Sequence, residues 1–390
     1  MHAHPVVAEI DVAVVGGGIV GHCLSGFLAA DGVGVALIDA GVAGGTTANA
    51  GSLHVQMQSR FMRLYPHLAA GMESTLHLYV KAVHFWQEFE RKLGNPIELN
   101  ITGGLMVAED QVQLDFLAEK AQRERQRGLD VDILDRKELG RIAPYLGPAV
   151  VGAELCHLEG KLNPLLANAA ARRWLDGLSV ALLAQELVQR VERVGARFRL
   201  STNRGSIDAG RVVIAAGFGS RSVAASLGLN LPVAPEPLHM NITEPTGPLI
   251  GHLVQHADRP ITLKQFSTGQ VVIGGGWPAR LAEGETHPRV ELASMIGNLT
   301  LAQHIVPALG PLRVIRTWAG INTTGDGRSI LGQVEGTPGL FVAIPGDAGY
   351  TLGPLCARLV ADAVMGRKPQ EDIRPYSPTR FATLRPAGRT

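Results

Sequence analysis

The chain has 390 residues, enough for two domains or one large domain with a sizeable hydrophobic core. Hydrophobic residues make up 46% and charged residues 18%, a balance that is typical of packed globular proteins and excludes disordered and fibrous classes. Because 36 Lys and Arg residues face 35 Asp and Glu residues, the formal net charge is +1, and no overall field favours nucleic acid or an anionic membrane as a partner.

The first predicted elements are a strand, a glycine turn, a helix and a second strand. The β-branched run at residues 10–15 leads into Gly16-Gly17-Gly18-Ile19-Val20-Gly21, and an apolar helical stretch follows. A second apolar run ends on Asp39, 21 positions after Gly18. In such a βαβ unit the glycines bring backbone N–H groups to a pyrophosphate, and the acid accepts hydrogen bonds from a ribose. The unit predicts a dinucleotide site and leaves a nicotinamide or a flavin cofactor open.

The uncharged stretch at residues 12–30 is about as long as a membrane span. Acidic residues precede it in place of basic ones, and glycines interrupt it, so we expect neither a signal peptide nor a transmembrane segment. The three cysteines, Cys23, Cys156 and Cys356, are far apart in the sequence. This spacing predicts no local zinc or iron–sulfur site, gives no metal ligand set, and fits a reducing cytoplasm.

A segment of small residues, 44–52, follows the second strand. Its backbone and short hydroxyls are suited to lining a flat cofactor, whereas a solvent-exposed loop is the alternative. Farther along, amphipathic periodicity predicts helices over 72–93 and 110–127, the second one capped by Asp110 and ended by Gly128.

The rest of the chain predicts a second sheet and a closing helix. Residues 211–217 form a buried strand that ends in a tight turn. An antiparallel sheet is predicted for the segments 233–243, 261–265 and 271–274. Near the end of the chain, the strand at 340–344 leads through a glycine turn into a helix over 351–365.

The order of these elements resembles the FAD-dependent amine and amino-acid oxidoreductases of the D-amino-acid oxidase and glycine oxidase family. The likeness rests on the glycine fingerprint, the small-residue segment, the strand ending in Ala215-Ala216-Gly217, the segment Trp318-Ala319-Gly320 and the glycine loop at 345–349. It implies an α/β fold in which a Rossmann-like FAD-binding domain of the glutathione-reductase type carries an inserted α+β substrate domain on a mixed or antiparallel sheet. We expect the FAD-binding domain at 8–80, 150–230 and 328–390, and the substrate domain at 81–149 and 231–327.

The resemblance implies FAD as a non-covalent cofactor, since Ala319 and its neighbours offer no thiol for a covalent link. The fingerprint would hold the pyrophosphate, Asp39 the adenosine ribose, and the start of the last helix the negative charge of the reduced flavin. The cofactor-binding residues that the resemblance implies are Gly16, Gly18, Ile19, Val20, Gly21, Asp39, Ala40, Thr46, Thr47, Ala50, Gly51, Ser52, Leu53, Val188, Ala215, Ala216, Gly217, Gly320, Gly346, Gly349, Tyr350, Thr351 and Leu352.

Within that family, the segments 262–265 and 269–277 look like those of the β subunits of bacterial opine and D-hydroxyproline or proline dehydrogenases. This implies oxidation of the C–N bond of a secondary amine or of an imino or amino acid by hydride transfer to flavin N5. It also implies partner subunits that carry a further redox centre. Relatives bind the substrate carboxylate with an arginine where this chain has Asn322. The candidate catalytic residues are His54, His239, Lys264, Asn322 and Tyr350, with Arg316 as another source of charge.

Three other functions stay open at this point. The chain could be a self-sufficient glycine, D-amino-acid or sarcosine-type oxidase that uses oxygen, or a flavin-bearing scaffold or electron-relay subunit. A nicotinamide-dependent dehydrogenase shares the fingerprint, but the glycine segments at 44–52 and 346–352 argue against it. For each of these functions we expect the protein to be cytoplasmic, or to be held at the inner face of the membrane by partner subunits.

Overall fold

The computed structural model describes residues 10–42, 44–94 and 96–381. Its strands are β1 Ile10–Val15, β2 Val35–Asp39, β3 Ser52–Leu53, β4 Gly104–Ala108, β5 Val131–Asp135, β6 Gly152–Cys156, β7 Gly160–Lys161, β8 Val180–Ala184, β9 Val188–Val194, β10 Arg197–Thr202, β11 Gly205–Ile214, β12 Ala234–Thr243, β13 Leu253–His256, β14 Thr262–Gln265, β15 Val271–Gly274, β16 Val314–Thr324, β17 Ile330–Gln333 and β18 Leu340–Ile344.

The helices are α1 Ile19–Ala30, α2 Ser59–Leu64, α3 Ala69–Leu93, α4 Gln111–Gln126, α5 Arg136–Ile142, α6 Pro164–Asp176, α7 Ser220–Ala225, α8 Leu292–Ile305 and α9 Gly349–Val364. The predicted cap of α4 is confirmed, because the Asp110 carboxylate accepts a hydrogen bond from Gln113 N at 2.8 Å. In the part of the chain that the structure describes, none of these helices is long and apolar enough to cross a bilayer.

The first sheet is mostly parallel and contains the predicted βαβ unit. Strand β1 pairs in parallel with β2 and with β11, β2 with β8, and β11 with β18. Strand β17 closes one edge antiparallel to β18, and β9 and β10 form an antiparallel extension of β11. The apolar, β-branched sequences of β1 and β18 suit strands that are buried on both faces. The predicted Rossmann-like sheet is thereby confirmed.

The second sheet has the order β16-β12-β15-β14-β13-β4-β6-β5. Strands β4 and β13 are parallel, whereas the pairs β13–β14, β14–β15, β12–β15, β4–β6 and β5–β6 are antiparallel. The mixed sheet expected for the substrate domain is therefore present. It is also larger than the sequence pattern indicated, because β4, β5 and β6 join it from much earlier in the chain.

The strand register fixes which side chains share a face of the second sheet. Leu263 stands opposite Ile273, and both belong to the hydrophobic core that α8 contributes to through Leu301 and Ile305. Helix α8 therefore covers this face. Side chains alternate along a strand, so the neighbouring positions point to the other face. That face, here called the polar face, carries Glu154, Gln255 and Lys264.

The chain divides into two compact units. The first comprises the described residues within Met1–Thr47, Asn168–Pro235 and Asn322–Thr390, and the second comprises those within Ala48–Ala167 and Glu236–Ile321. Compared with the expected domain limits, the second unit also takes 48–80 and 150–167, and the first takes 231–235 and 322–327. The reason is that α3 packs against α4 and that β6 pairs with β4 and β5. The expected ends at residues 8 and 390 lie outside the described residues.

Candidate active site

The glycine loop between β1 and α1 is packed so closely that Gly16 and Gly21 exclude a side chain. Gly16 has a φ of +115°, and a Cβ there would lie 2.5 Å from the Ala215 carbonyl oxygen. A Cβ on Gly21 would lie 1.8 Å from the Gly16 carbonyl oxygen, and one on Gly18 would lie 3.0 Å from Thr46 Oγ1. Helix α1 begins without a side-chain cap and without an acid in its first turn. The loop therefore fits a pyrophosphate at a helix N-terminus.

Asp39 ends β2 and lies directly against this loop. A Cβ on Gly17 would lie 2.4 Å from Asp39 Cγ, and Asp39 Oδ1 accepts a hydrogen bond from Gly41 N at 3.1 Å. A carboxylate has about four acceptor sites, so this half-buried group can still accept a hydrogen bond from a ribose hydroxyl. The loop and the acid together fit the adenosine diphosphate half of FAD.

The small-residue segment is fixed by a side chain that the sequence analysis did not single out. Asn168 of α6 donates from Nδ2 to the Thr46 carbonyl oxygen at 3.1 Å, and its Oδ1 accepts from the Tyr350 hydroxyl at 2.9 Å. Ile19 N also donates to Thr46 Oγ1 at 3.0 Å. Asn168 therefore connects the small-residue segment to α9. It lies 122 residues from Thr46 in sequence, and no local motif marks it.

The other predicted cofactor positions of the first unit lie at the ends of its strands. Ala215 N donates to the Val15 carbonyl oxygen at 2.8 Å, and a Cβ on Gly217, where φ is +55°, would lie 3.1 Å from Thr323 Oγ1. Val188 begins the outer strand β9. Helix α9 starts at Gly349 and has neither a side-chain cap nor an acid in its first turn. Its N-terminal N–H groups can therefore stabilise the negative charge of a reduced flavin.

A buried lysine marks the polar face of the second unit. Lys264 is 1% exposed, and its Nζ donates a hydrogen bond to Ser52 Oγ at 2.7 Å. Burial, together with repulsion from Lys161, lowers the pKa of Lys264 to about 7. Of the remaining predicted cofactor residues, Ala50, Gly51, Leu53 and Gly320 also lie in this unit.

His54 follows β3 and is electrically neutral in this structure. Burial, reinforced by the charge of Lys264, lowers the pKa of His54 to about 3. Its Nδ1 atom is buried, accepts or donates no hydrogen bond among the described residues, and lies 4.0 Å from Glu159 Oε1. Because the imidazole is uncharged at neutral pH, this contact is not an ion pair.

Glu159 holds the segment that carries His54. Its carboxyl oxygens accept hydrogen bonds from Val55 N at 2.7 Å, from Gln56 N at 3.0 Å, and from the side-chain amides of Gln56 and Gln255 at 2.8 Å. Burial raises the pKa of Glu159 to about 7, although these donors oppose the shift. The sequence analysis missed Glu159, whose donors come from two segments about 100 residues away.

His239 lies on the opposite face of the second sheet from Lys264. Asn241 stands opposite Ile273 in the register, so His239 and Asn241 share the face that α8 covers. There Asn241 Nδ2 lies 3.3 Å from His239 Nε2 and donates to Asn298 Oδ1 at 3.0 Å. The structure therefore does not bring His239 together with Lys264, because the prediction could not include the register of β12.

The last predicted catalytic residues belong to the first unit. Asn322 is half-buried near the end of β16, and Tyr350 is buried at the start of α9. The Tyr350 hydroxyl donates to Asn168, and burial raises the pKa of this phenol well above its usual value. Arg316, which belongs to the second unit, is exposed, with its guanidinium carbon 5.8 Å from the Trp318 ring centroid.

Known proteins resemble this chain over nearly its whole length. The family described as "FAD dependent oxidoreductase" matches residues 11–363. An opine oxidase subunit from Rhizobium meliloti is 26% identical, with 96% of this chain and 98% of the relative covered. The crystal structure of glycine oxidase from Geobacillus kaustophilus has a TM-score of 0.80 at 26% identity, covering 95% of this chain and 99% of that chain.

A further solved structure supports the fold alone. L-proline dehydrogenase from P. horikoshii has a TM-score of 0.82 at 21% identity and covers 96% of this chain and 98% of that chain. The family match spans the glycine fingerprint, both sheets and most of α9, and the geometry of the fingerprint fits FAD. The chain therefore belongs to the family of FAD-dependent oxidoreductases and is an FAD-binding enzyme of that family.

Proposed function

We propose that this enzyme oxidises the C–N bond of a secondary amine or imino acid that carries a carboxylate, such as an opine, D-hydroxyproline or proline. The observation that carries the proposal is Lys264, a buried ammonium that donates to Ser52 and lies on the polar face of the second sheet. The similarity to the opine oxidase polypeptide over 96% of the chain supports an amine of this kind.

Lys264 takes over the role that Asn322 cannot fill. An amide donates hydrogen bonds to a carboxylate but supplies no positive charge, whereas an ammonium supplies both. Lys264 also holds Ser52 Oγ as an acceptor, which leaves the Ser52 hydroxyl proton available to a carboxylate oxygen. In this proposal Lys264 and Ser52 together bind one substrate carboxylate and so fix the position of the neighbouring carbon.

The reaction needs a positioned, uncharged amine. Bound FAD supplies a two-electron acceptor for the hydride that leaves the carbon next to nitrogen. The nitrogen lone pair forms the C=N bond, and water then hydrolyses the imine to a carbonyl compound and an amine. His54 is neutral near pH 7, so its imidazole adds no positive charge, and Lys264 and Ser52 bind the substrate carboxylate and so orient the amine. Orientation is their contribution.

Glu159 is proposed to position this site without touching the substrate. It binds two successive backbone N–H groups of the segment that follows Ser52 and Leu53. A segment that is anchored in this way keeps Ser52 in reach of Lys264. Glu159→Gln would remove the ionisable group and could keep the two bonds from the backbone N–H groups of Val55 and Gln56, but its amide nitrogen could not accept the bonds from the side chains of Gln56 and Gln255.

The test is an anaerobic titration of the holoenzyme with octopine, nopaline, D-hydroxyproline, proline, sarcosine and glycine. Loss of the visible absorbance of oxidised flavin reports oxidation of the added amine. We expect one or more secondary amines to bleach the flavin, and glycine to do so weakly or not at all. A flavin that dithionite reduces and that no amine in the panel reduces would contradict the proposal.

We propose in addition that electrons leave through partner subunits. The relative from Rhizobium meliloti is named as a subunit, and the three cysteines of this chain are too far apart in the sequence to form a local iron–sulfur motif. Turnover with an artificial dye acceptor, with little peroxide formed in air, is the expected result. A self-sufficient oxidase remains the second candidate, which the similarity to glycine oxidase favours, and rapid peroxide formation would select it.

A further inference from the structure

A second buried lysine lies beside the pair formed by Lys264 and Ser52. Strands β3 and β7 are antiparallel, and Ser52 stands directly opposite Lys161, so the two side chains leave the same face of this ribbon. The backbone of Lys161 is fixed on its other side by two hydrogen bonds with Asn100, at 2.9 and 2.8 Å. Lys161 is 8% exposed. Ser52 is thus contacted by one buried lysine and flanked by another.

The charges of the two lysines are not balanced by the protein. Among residues 10–42, 44–94 and 96–381, no salt bridge joins Lys161 or Lys264 to a carboxylate, and no acid contributes to the pKa shift of either lysine. Burial, and then repulsion from Lys161, also lowers the pKa of His252. Burying a charged group is costly unless an opposite charge or hydrogen-bonding group pairs with it. Two neighbouring ammonium groups that no carboxylate contacts are therefore complementary to an anionic ligand.

We infer that Lys161 determines substrate specificity by binding a second carboxylate, while Lys264 and Ser52 bind the first. The inference rests on the proposed function and narrows it to one substrate class. This class is a secondary amine with a carboxylate on each side of the nitrogen, as in N-(carboxyalkyl) amino acids. Monocarboxylates such as proline and sarcosine would leave one of the two ammonium groups buried without a partner.

The test uses two unreactive ligands that differ by one carboxylate. Diglycolate and methoxyacetate carry an ether oxygen where a substrate carries nitrogen, so they bind without being oxidised as amines. Their dissociation constants are measured by calorimetry on the holoenzyme at pH 6, which is below the Lys264 pKa of about 7. We expect the wild type to bind diglycolate at least tenfold more tightly than methoxyacetate.

Three variants assign the difference to Lys161. Lys161→Met keeps most of the length of the side chain and removes the charge, and we expect it to weaken diglycolate binding about 10- to 100-fold and methoxyacetate binding less than twofold. Lys161→Arg restores the charge and should regain most of the affinity for diglycolate. Lys137→Met removes a charge from an exposed position of α5 and should change neither ligand.

Two results would overturn the inference. One is an equal affinity of the wild type for both ligands, and the other is a Lys161→Met protein that weakens both ligands to the same extent. If Lys161→Met does not retain FAD, the charge-based role of Lys161 is tested by comparing Lys161→Arg with the wild type. A Lys161→Arg protein that no longer prefers diglycolate to methoxyacetate would contradict that role. Failure of the proposed function can be told apart from failure of this inference. In that case the wild type binds diglycolate more tightly than methoxyacetate, Lys161→Met removes the difference, and yet no amine reduces the flavin.

Discussion

Two buried lysines on one side of the second sheet differ in how their charges are balanced. Lys120 of α4 donates to both carboxylate oxygens of Glu124 at 2.9 Å and lies 2.8 Å from Glu154 Oε2. Burial alone would lower the pKa of Lys120, but Glu154 and Glu124 reverse this effect and raise it. Lys264 has a serine hydroxyl as its partner, and its pKa falls to about 7.

This difference separates a structural cluster from a binding site. At Lys120 the acids satisfy the cation, and Glu124 also accepts a hydrogen bond from Met57 N at 2.5 Å, so the cluster fastens the 52–58 segment to α4. At Lys264 the protein has buried a cation without supplying its counter-ion. An arrangement that is unfavourable for the protein alone becomes favourable once an anion is bound.

The largest expected effect is that of Lys120→Met on stability. The substitution leaves the Glu124 carboxylate buried without its cation and Glu154 without its lysine partner, and removing one partner of a buried ion pair typically costs about 3–5 kcal/mol. Urea denaturation followed by circular dichroism measures the free energy of unfolding. A loss below about 1 kcal/mol would show that the cluster is not held by its charges.

Lys264→Met should behave in the opposite way. It removes a buried charge that has no acidic partner, so we expect the free energy of unfolding to stay the same or to rise. The value of kcat/KM for the amine substrate should fall about 100-fold, or about 2.7 kcal/mol at 1.36 kcal/mol per tenfold change. Steady-state kinetics at matched FAD content measures this effect. A Lys264→Met protein that is less stable and keeps its kcat/KM would show that Lys264 has a structural role and does not bind the substrate.

The affinity for a carboxylate should decrease as the pH rises through 7. Lys264 is positively charged below its pKa of about 7 and neutral above it, so the binding of methoxyacetate should weaken about tenfold between pH 6 and 8. Calorimetry over this range measures the slope, and Lys264→Met should flatten it.

The groups near Lys264 act on this slope in known directions. His54, with a pKa of about 3, stays neutral throughout, and burial lowers the pKa of Lys161 from its usual value. Glu159 also has a pKa of about 7 and becomes negative in the same range, which weakens binding further. The Glu159→Gln variant isolates the part due to Lys264. A slope that Glu159→Gln removes completely would assign the titration to the acid.

The smallest expected effect is that of Glu154→Gln. Burial, together with its hydrogen bond to and repulsion from Glu124, raises the pKa of Glu154 well above its usual value in spite of Lys120. The carboxyl group is therefore expected to retain its proton, and a neutral amide of the same shape should change the free energy of unfolding by less than about 1 kcal/mol at pH 6. Glu124→Gln, which removes the acceptor of Lys120 and Met57, should cost more. Equal losses for both variants would contradict this distinction.

The FAD half of the molecule could be predicted from the sequence because its determinants are local. Gly16, Gly18 and Gly21 stand within six positions, and Asp39 ends the next strand, so one βαβ unit contains the fingerprint and the acid. The resemblance to a family was carried by such contiguous motifs. Asn168, which connects Thr46 to Tyr350, was missed because an isolated asparagine in a helix has no local signature.

The substrate unit could be predicted only in part because its faces depend on register. His239 and Lys264 lie in strands of the same sheet, and the pairing of β12, β14 and β15 alone decides that they point to opposite faces. Lys161 reaches Ser52 through the ribbon between β3 and β7, which joins segments more than 100 residues apart. No local motif marks Lys161, which stands between Gly160 and Leu162 with Glu159 and Asn163 close by in the sequence.

The lysines that contact no acid form the substrate site in our proposal. The most direct test of this proposal is an anaerobic reductive titration of wild-type, Lys264→Met and Glu154→Gln holoenzymes with the amine that bleaches the wild-type flavin most completely. We predict that Lys264→Met raises the amine concentration needed for half reduction about 100-fold, and that Glu154→Gln, on the same face of the sheet, stays within twofold of the wild type. An unchanged titration for Lys264→Met, or an equal shift for both variants, would contradict the account.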